Sequence, residues 1–170
     1  MTGLEESATR LIKSIKDSGL TVATAESCTA GGLVEALAAA PNARAVVHGG
    51  IITYTKAAKT ALLGVESALL ERQTAVSHDV AEAMVRGALE RSGADIVMSI
   101  TGVAGPAPDE DGNPVGMVYV AAGRRGGDVM VAELSLGGTP EEIKTAAMQA
   151  ALALADELIS SSPQVQAQSP

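Results

Sequence analysis

Aromatic side chains and cysteine are nearly absent from this chain of 170 residues. It has no Phe or Trp, and Tyr54 and Tyr119 are its only aromatic residues. Because 46% of the residues are nevertheless hydrophobic, the core must be built from Ala, Val, Leu, Ile and Met. Cys28 is the single cysteine, which excludes an internal disulfide and a zinc site made of several cysteines.

Positive charge is also scarce. The chain has 12 Lys and Arg against 20 Asp and Glu, which gives a net charge of −8. Binding of nucleic acid requires clustered Lys and Arg to neutralise phosphates, so we expect no nucleic-acid partner. The sequence has no signal peptide and no apolar run near the roughly 18 residues of a membrane-spanning helix, which predicts a soluble, cytoplasmic protein with no membrane partner.

Metal and cofactor chemistry lack their usual signals. His48 and His78 are far apart and in no metal-binding spacing, and the consecutive acidic residues 109–111 do not form a convergent cage. We therefore interpret the acidic residues as a solvated loop and expect no metal and no cofactor. The first strand is not followed by G-x-G-x-x-G, which disfavours a dinucleotide oxidoreductase.

Hydrophobic periodicity predicts strands that alternate with helices. Helices are predicted over 4–15, 32–40, 57–63, 66–72, 78–92 and 140–159. Strands are predicted over 20–25, 46–54, 96–100, 115–122 and 129–136, with the last two forming a hairpin. This order predicts one α/β domain with a mixed sheet over residues 1–160, followed by a polar, disordered tail at 161–170.

The most informative segment is A-E-S-C-T-A-G-G at residues 25–32, where the first strand meets a helix. Sites in α/β proteins lie at strand ends, and the free amides of a helix N-terminus favour a phosphate or a developing oxyanion. The segment therefore predicts a nucleophile beside anion-stabilising amides. The alternative is a polar helix cap, in which Thr29 or Ser27 caps the helix and Glu26 is solvated.

Two further segments carry polar groups at strand ends. Tyr54 and Lys59 flank another strand-to-helix junction, and a lysine beside an apolar wall has a lowered pKa that suits a general base. With a serine it would form a Ser-Lys pair; the alternative is that Lys56 and Lys59 are solvated. The glycine loop 101–106 would let backbone amides approach a phosphate or carbonyl oxygen, or is simply a structural turn.

Six motifs in order resemble the C-terminal domain family of the competence/damage-inducible protein CinA, over roughly residues 5–158. They are T-A-E-S-C-T (24–29), G-G-I-I-T-Y-T-K-A-A-K (49–59), L-L-G-V (62–65), A-V-S (75–77), T-G-V-A-G-P (101–106) and P-V-G-M-V-Y (114–119). The resemblance implies a three-layer α/β/α sandwich. It also implies hydrolysis of the nicotinamide amide of nicotinamide mononucleotide (NMN), giving nicotinic acid mononucleotide and ammonia in pyridine-nucleotide salvage.

The resemblance and the chemistry of the residues together predict a set of site residues. Ser27 is expected to be the nucleophile, Lys59 the general base and Tyr54 a third catalytic residue, with oxyanion-stabilising amides near Gly31, Gly32 or the 102–105 loop. The residues expected to bind the pyridine nucleotide are Glu26, Cys28, Thr29, Gly31, Arg44, Thr101, Gly102, Gly105 and Lys144.

Two segments depart from the family pattern. Asn42-Ala43-Arg44 stands where the family has G-S-S, and a later G-D-R…R segment here reads Gly138-Thr139-Pro140…Lys144. We predict that Arg44 restores positive charge at the mouth of the site, together with Lys144 or Lys56; the alternative is a solvated arginine. The departures also leave open a divergent, inactive member that acts as a nucleotide-binding or interaction module. The low aromatic content and the alanine-rich composition favour a homo-oligomer.

Overall fold

The computed structural model describes residues 2–161, which form a five-stranded sheet with helices on both faces. The helices are α1 (Gly3–Asp17), α2 (Gly32–Ala39), α3 (Lys56–Leu63), α4 (Ser67–Gln73), α5 (His78–Ser92) and α6 (Pro140–Ser161). The strands are β1 (Val22–Glu26), β2 (Val47–Ile52), β3 (Ile96–Gly102), β4 (Met117–Arg124) and β5 (Val129–Ser135). A short 3-10 turn, Ala43–Ala45, precedes β2.

The sheet is mixed, as the alternation of strands and helices predicts. Its strand order is β2-β1-β3-β4-β5; β1 runs parallel to β2 and β3, whereas β4 and β5 are antiparallel to their neighbours. Glu26, the last residue of β1, is in register with Ile52 of β2 and Ile100 of β3. The carboxyl ends of the three parallel strands therefore meet at one edge of the sheet, where α/β proteins place their sites.

Two aliphatic cores cover the two faces of the sheet. Helices α1, α2 and α6 pack on one face around Leu11, Leu33 and Met98. Helix α5 covers the other face, where Met84 and Val85 belong to the same cluster as residues of β1, β3 and β4. Burial of each such side chain is worth about 1.5–3 kcal/mol, so aliphatic residues alone can stabilise both cores. These layers confirm the three-layer α/β/α sandwich.

Gly50 allows β1, β2 and α2 to approach one another closely. A Cβ atom at Gly50 would lie 2.7 Å from the Thr24 hydroxyl oxygen and 2.9 Å from a Val34 methyl carbon. The pairing of β1 with β2 is also irregular near this point, because its register shifts between Val22 and Ala23. A larger residue at Gly50 would push α2 away from the sheet, and α2 follows directly on the turn that carries Ser27.

The last helix begins as predicted and ends slightly later. The Thr139 amide donates to the Glu142 carboxylate at 2.7 Å, and the Glu142 amide donates back to the Thr139 hydroxyl at 3.3 Å, a capping box. Helix α6 ends at Ser161, and the remainder of the predicted tail, 162–170, lies outside the described residues. Among residues 2–161, no helix is both long and apolar enough to cross a membrane.

Candidate active site

Ser27 lies in a tight turn between β1 and α2. Its amide donates to the Ile100 carbonyl at 3.0 Å, and its carbonyl accepts from the Ala30 amide at 3.1 Å. Ala30 and Gly31 have left-handed backbone conformations, with φ of 49° and 101°. The turn thus reverses direction within a few residues and leaves Ser27, only 7% exposed, at the floor of a cavity.

The Glu26 carboxylate caps α2 from within the protein. Glu26 is fully buried, and its two oxygens accept five hydrogen bonds of 2.7–3.1 Å. The donors are the hydroxyls of Thr24 and Thr29 and the amides of Gly31, Leu33 and Val34. A carboxylate with this many donors has no lone pair left for a ligand.

Three predicted substrate-binding residues therefore have a different role. Glu26, Thr29 and Gly31 do not line the cavity, and the Thr29 hydroxyl and Gly31 amide bond to Glu26 instead. The Gly32 amide is also used, since it donates to the Thr29 carbonyl at 2.9 Å. The expectation that the α2 N-terminus stabilises an oxyanion is wrong, because the chain's own carboxylate occupies that end of the helix. The alternative interpretation, in which Glu26 is solvated, is also wrong, because Glu26 is fully buried.

Lys59 meets Ser27 in the interior, as predicted. Thr55 caps α3 by accepting from the Ala58 amide, and this sets the helix so that Lys59 points inward. Lys59 is 1% exposed, and its Nζ lies 2.9 Å from Ser27 Oγ and 2.9 Å from the Thr53 carbonyl oxygen. Burial lowers the pKa of Lys59 to about 8. A neutral Lys59 can donate to Thr53 and accept the Ser27 proton, which is the arrangement that a serine nucleophile needs.

The cavity above this pair has a volume of about 710 Å³, within the range of small-molecule sites. The loop 101–111 forms one wall, and the start of α3 and the start of α6 form others. Gly102 and Gly105 line it as predicted, and so does Cys28. Thr101 also lines the cavity, but its hydroxyl donates to the Ala75 carbonyl at 2.7 Å. This hydrogen bond stabilises the cavity wall and engages the hydroxyl that we expected to contact a ligand.

Tyr54 and Lys144 lie at the rim of the cavity. Tyr54 is 74% exposed, and no hydrogen bond joins its hydroxyl to Ser27 or Lys59 within the described residues. Lys144 lines the cavity from α6, and its Nζ pairs with Glu141 at 2.9 Å. Glu141 is largely exposed, so this pair is weak and Lys144 is available to an anionic ligand. The roles of both residues stay predictions.

Arg44 lies at the opposite edge of the sheet from the cavity. It belongs to the turn that leads into β2, and β2 begins at Val47 beside Val22, the first residue of β1. Ser27 instead follows the last residue of β1. The prediction that Arg44 supplies charge at the mouth of the site is therefore wrong, and an exposed, solvated arginine fits the structure.

One ion pair of the cavity was not predicted from the sequence. Lys56, at the start of α3, contacts Asp111 Oδ1 at 2.7 Å and Glu110 at 3.8 Å, and all three residues line the cavity. The hydrogen bond to Asp111 raises the pKa of Lys56 and engages the charge that we expected to be free for phosphate. A single sequence holds no signal for a contact between such distant residues. Over residues 2–161, no group of three or more His, Cys, Asp or Glu could hold a metal ion.

The family model for the CinA C-terminal domain matches residues 4–159. The chain belongs to this family. Solved structures of the CinA superfamily share its fold. One, a protein of Escherichia coli, is 37% identical to this chain and has a TM-score of 0.87; the match covers 91% of this chain and 90% of the Escherichia coli chain. Another is CihA, a competence/damage inducible protein of Agrobacterium tumefaciens, which is 39% identical and has a TM-score of 0.87. This match covers 94% of this chain and 96% of the CihA chain.

Curated relatives of the CinA family are longer than this chain. A CinA-like protein of Mycolicibacterium vanbaalenii is 46% identical over 75% of this chain, which corresponds to 30% of the relative. Another, of Geobacter sulfurreducens, is 40% identical over 85% of this chain and 35% of the relative. The chain thus spans about a third of the length of these relatives.

Cys28 is predicted to be chemically inert although it lines the cavity. Burial raises the pKa of its thiol to about 11, so the reactive thiolate is rare at neutral pH. We expect iodoacetamide to alkylate the folded protein at pH 8 at least about tenfold more slowly than the urea-unfolded chain, as measured by intact mass. Equal rates in the two states would contradict the raised pKa of this thiol.

Proposed function

We propose that this CinA-family chain is an amidohydrolase that deamidates NMN to nicotinic acid mononucleotide and ammonia. The observation that carries the proposal is the buried Lys59 amine, 2.9 Å from Ser27 Oγ at the floor of a cavity of about 710 Å³. A lysine whose pKa is lowered to about 8 is partly neutral near physiological pH, so it can act as a base. The family resemblance supports the choice of substrate.

The proposed reaction has two stages. Neutral Lys59 accepts the Ser27 proton while Oγ attacks the carboxamide carbon of NMN. The tetrahedral oxyanion then collapses, the C–N bond breaks, and the Lys59 ammonium returns its proton to the leaving nitrogen, which departs as ammonia. A water molecule, deprotonated by Lys59, hydrolyses the resulting ester and restores Ser27. No group outside these residues and water is required for the proton balance.

The loop 102–105 is the remaining candidate for the oxyanion site. Within residues 2–161, the amides of Ala104 and Gly105 have no hydrogen-bond acceptor, and both residues line the cavity. Because Glu26 already uses the α2 amides, we assign oxyanion stabilisation to these two groups. One donor of this kind is typically worth about 3 kcal/mol of transition-state stabilisation.

The proposal is tested with purified protein and NMN. Ammonia is measured with a coupled glutamate dehydrogenase assay, and the acid product is identified by mass spectrometry. We expect equal amounts of ammonia and nicotinic acid mononucleotide. Binding of NMN by calorimetry without either product would instead support a nucleotide-binding module, and the absence of both binding and turnover would reject NMN as the ligand.

Lys144 is predicted to recognise the phosphate of NMN. It is the lysine of the cavity rim whose ion pair is with a largely exposed carboxylate, whereas Lys56 is held by Asp111. We expect Lys144→Met to raise KM for NMN about tenfold, because a charge-assisted phosphate contact is worth about 1.5–3 kcal/mol. Turnover of the phosphate-free riboside should be unchanged by the substitution.

Arg44→Ala is the matched control for this comparison, since it removes a cation at the opposite edge of the sheet. It should leave KM for both ligands unchanged. A larger effect from Arg44→Ala than from Lys144→Met would contradict the assignment of the phosphate to the α6 side of the cavity.

A further inference from the structure

Glu26 is a buried carboxylate that the proposed reaction does not use. It is fully buried, and no Lys, Arg or His pairs with it among residues 2–161. Within that part of the chain, its hydrogen-bond donors are two threonine hydroxyls and three amides of the α2 N-terminus. A buried carboxylate without a cationic partner is costly, and a hydroxyl could cap a helix at lower cost. Helix capping alone therefore does not explain why residue 26 is a glutamate.

The hydrogen bonds of Glu26 close the turn that holds Ser27. The carboxylate belongs to the last residue of β1, while three of its donors, Gly31, Leu33 and Val34, lie beyond the turn. The backbone of Glu26 is fixed independently, since its carbonyl accepts from the Thr53 amide at 2.7 Å. Thr53 is also the residue whose carbonyl holds Lys59 Nζ. Glu26 thus connects the Ser27 turn by hydrogen bonds to Thr53, and Thr53 in turn orients Lys59.

We propose that Glu26 is a positioning residue, which holds Ser27 Oγ within reach of Lys59 Nζ by drawing the start of α2 onto the end of β1. This inference rests on the proposed role of Ser27 as nucleophile. Without the carboxylate, the left-handed Ala30, a conformation that alanine disfavours, would relax and move the turn. A displacement of about 1 Å between reacting groups can lower a rate about 100-fold.

The test compares Glu26→Gln with a control of similar stability. Glutamine has nearly the same volume, but its NH₂ group cannot accept from the α2 amides. Leu89→Ala is the control: Leu89 is a buried residue near the end of α5, beside the start of β3 and so at the opposite edge of the sheet. Both variants should be less stable than the wild type, and all measurements are made well below their unfolding temperatures.

The readouts are turnover of NMN and labelling of Ser27 by phenylmethanesulfonyl fluoride. In the labelling reaction Oγ attacks sulfur, the S–F bond breaks, fluoride leaves and Lys59 takes the proton. We expect Glu26→Gln to label Ser27 and to turn over NMN about 100-fold more slowly, with KM within about twofold of wild type. Leu89→Ala should match the wild type in both. Wild-type labelling and kcat in folded Glu26→Gln would overturn the positioning role.

A second variant covers the case in which Glu26→Gln does not fold. Thr29→Val removes one of the five donors and keeps the carboxylate, so slower Ser27 labelling supports the proposal and unchanged labelling overturns it. The two proposals fail in different ways. A wild type that neither releases ammonia nor is labelled at Ser27 contradicts the proposed function, and this inference with it. An active wild type with an equally active Glu26→Gln contradicts this inference alone.

Discussion

Replacement of Ser27 with alanine is expected to lower kcat for ammonia release from NMN by at least about 1,000-fold. Loss of a serine nucleophile removes the covalent route entirely and leaves only the contributions of binding and oxyanion stabilisation. The variant should fold normally, because the hydroxyl is small and the backbone contacts of Ser27 with Ile100 and Ala30 do not depend on it. KM for NMN should change little, since in the proposed mechanism the hydroxyl reacts with the substrate and does not anchor it.

Cys28→Ala is the matched control for Ser27→Ala. It removes the neighbouring nucleophilic atom from the same turn and the same cavity wall. Because burial raises the thiol pKa to about 11, we expect Cys28→Ala to retain most of the wild-type kcat. An inactive Cys28→Ala beside an active Ser27→Ala would assign the nucleophile to the thiol and contradict the proposed mechanism.

The fold follows from the sequence because each element is marked locally. Hydrophobic periodicity identifies the helices, the β-branched run at 46–54 identifies a strand, and Thr139-Pro140 marks the start of the last helix. The alternation of these elements leaves few topologies, so a mixed sheet between helices is predictable. The pairing order of the sheet depends on contacts distant in sequence and was not assigned from it.

The site was predictable only in part, because its residues differ in how they depend on three-dimensional contacts. Ser27 and Lys59 each lie at a strand-to-helix junction, and parallel strands bring such junctions to one edge. The residues that were wrongly expected to bind the substrate illustrate a contact that sequence does not reveal. Glu26 is polar and adjacent to Ser27, and only the structure reveals that five donors of the chain itself satisfy it.

Arg44 illustrates a second limit of the sequence. Its residue type suits phosphate, but the turn that carries it leads into the first residue of β2, whereas the cavity lies past the last. The edge to which a loop belongs follows from strand direction. Loops that enter the amino ends of parallel strands cannot reach a site at the carboxyl ends, so the position of Arg44 before β2 already argued against its assigned role.

Replacement of Lys59 with methionine is expected to remove activity to about the same extent as Ser27→Ala, because the proposed mechanism makes the two residues one catalytic unit, whose losses are not additive. In the wild type, kcat/KM should rise with pH, with a midpoint near the Lys59 pKa of about 8 and a plateau above it, since the neutral amine is the proposed base. A profile that falls as pH increases through 8 would contradict this role. Lys13→Met, which alters an exposed lysine of α1, should leave the profile unchanged.

The lowered pKa of Lys59 also predicts how the free energy of unfolding depends on pH. Well below pH 8 Lys59 is charged in both the folded and the unfolded chain, so the folded state bears the full cost of the buried charge. Between about pH 8 and the ordinary lysine value of 10.5, the folded protein loses this proton while the unfolded chain keeps it. The free energy of unfolding therefore rises over this interval, by about 3 kcal/mol for a shift of this size.

Urea unfolding of the wild type and Lys59→Met across this pH range isolates the contribution of Lys59, because the other titrating groups are common to both chains. We expect the difference in unfolding free energy, wild type minus variant, to increase with pH from 8 to 10.5 and to be flat between pH 6 and 7. A difference that stays constant across the whole range would indicate that Lys59 keeps its ordinary pKa in the folded protein. Lys59 would then be fully charged at neutral pH, and a different base would have to accept the Ser27 proton.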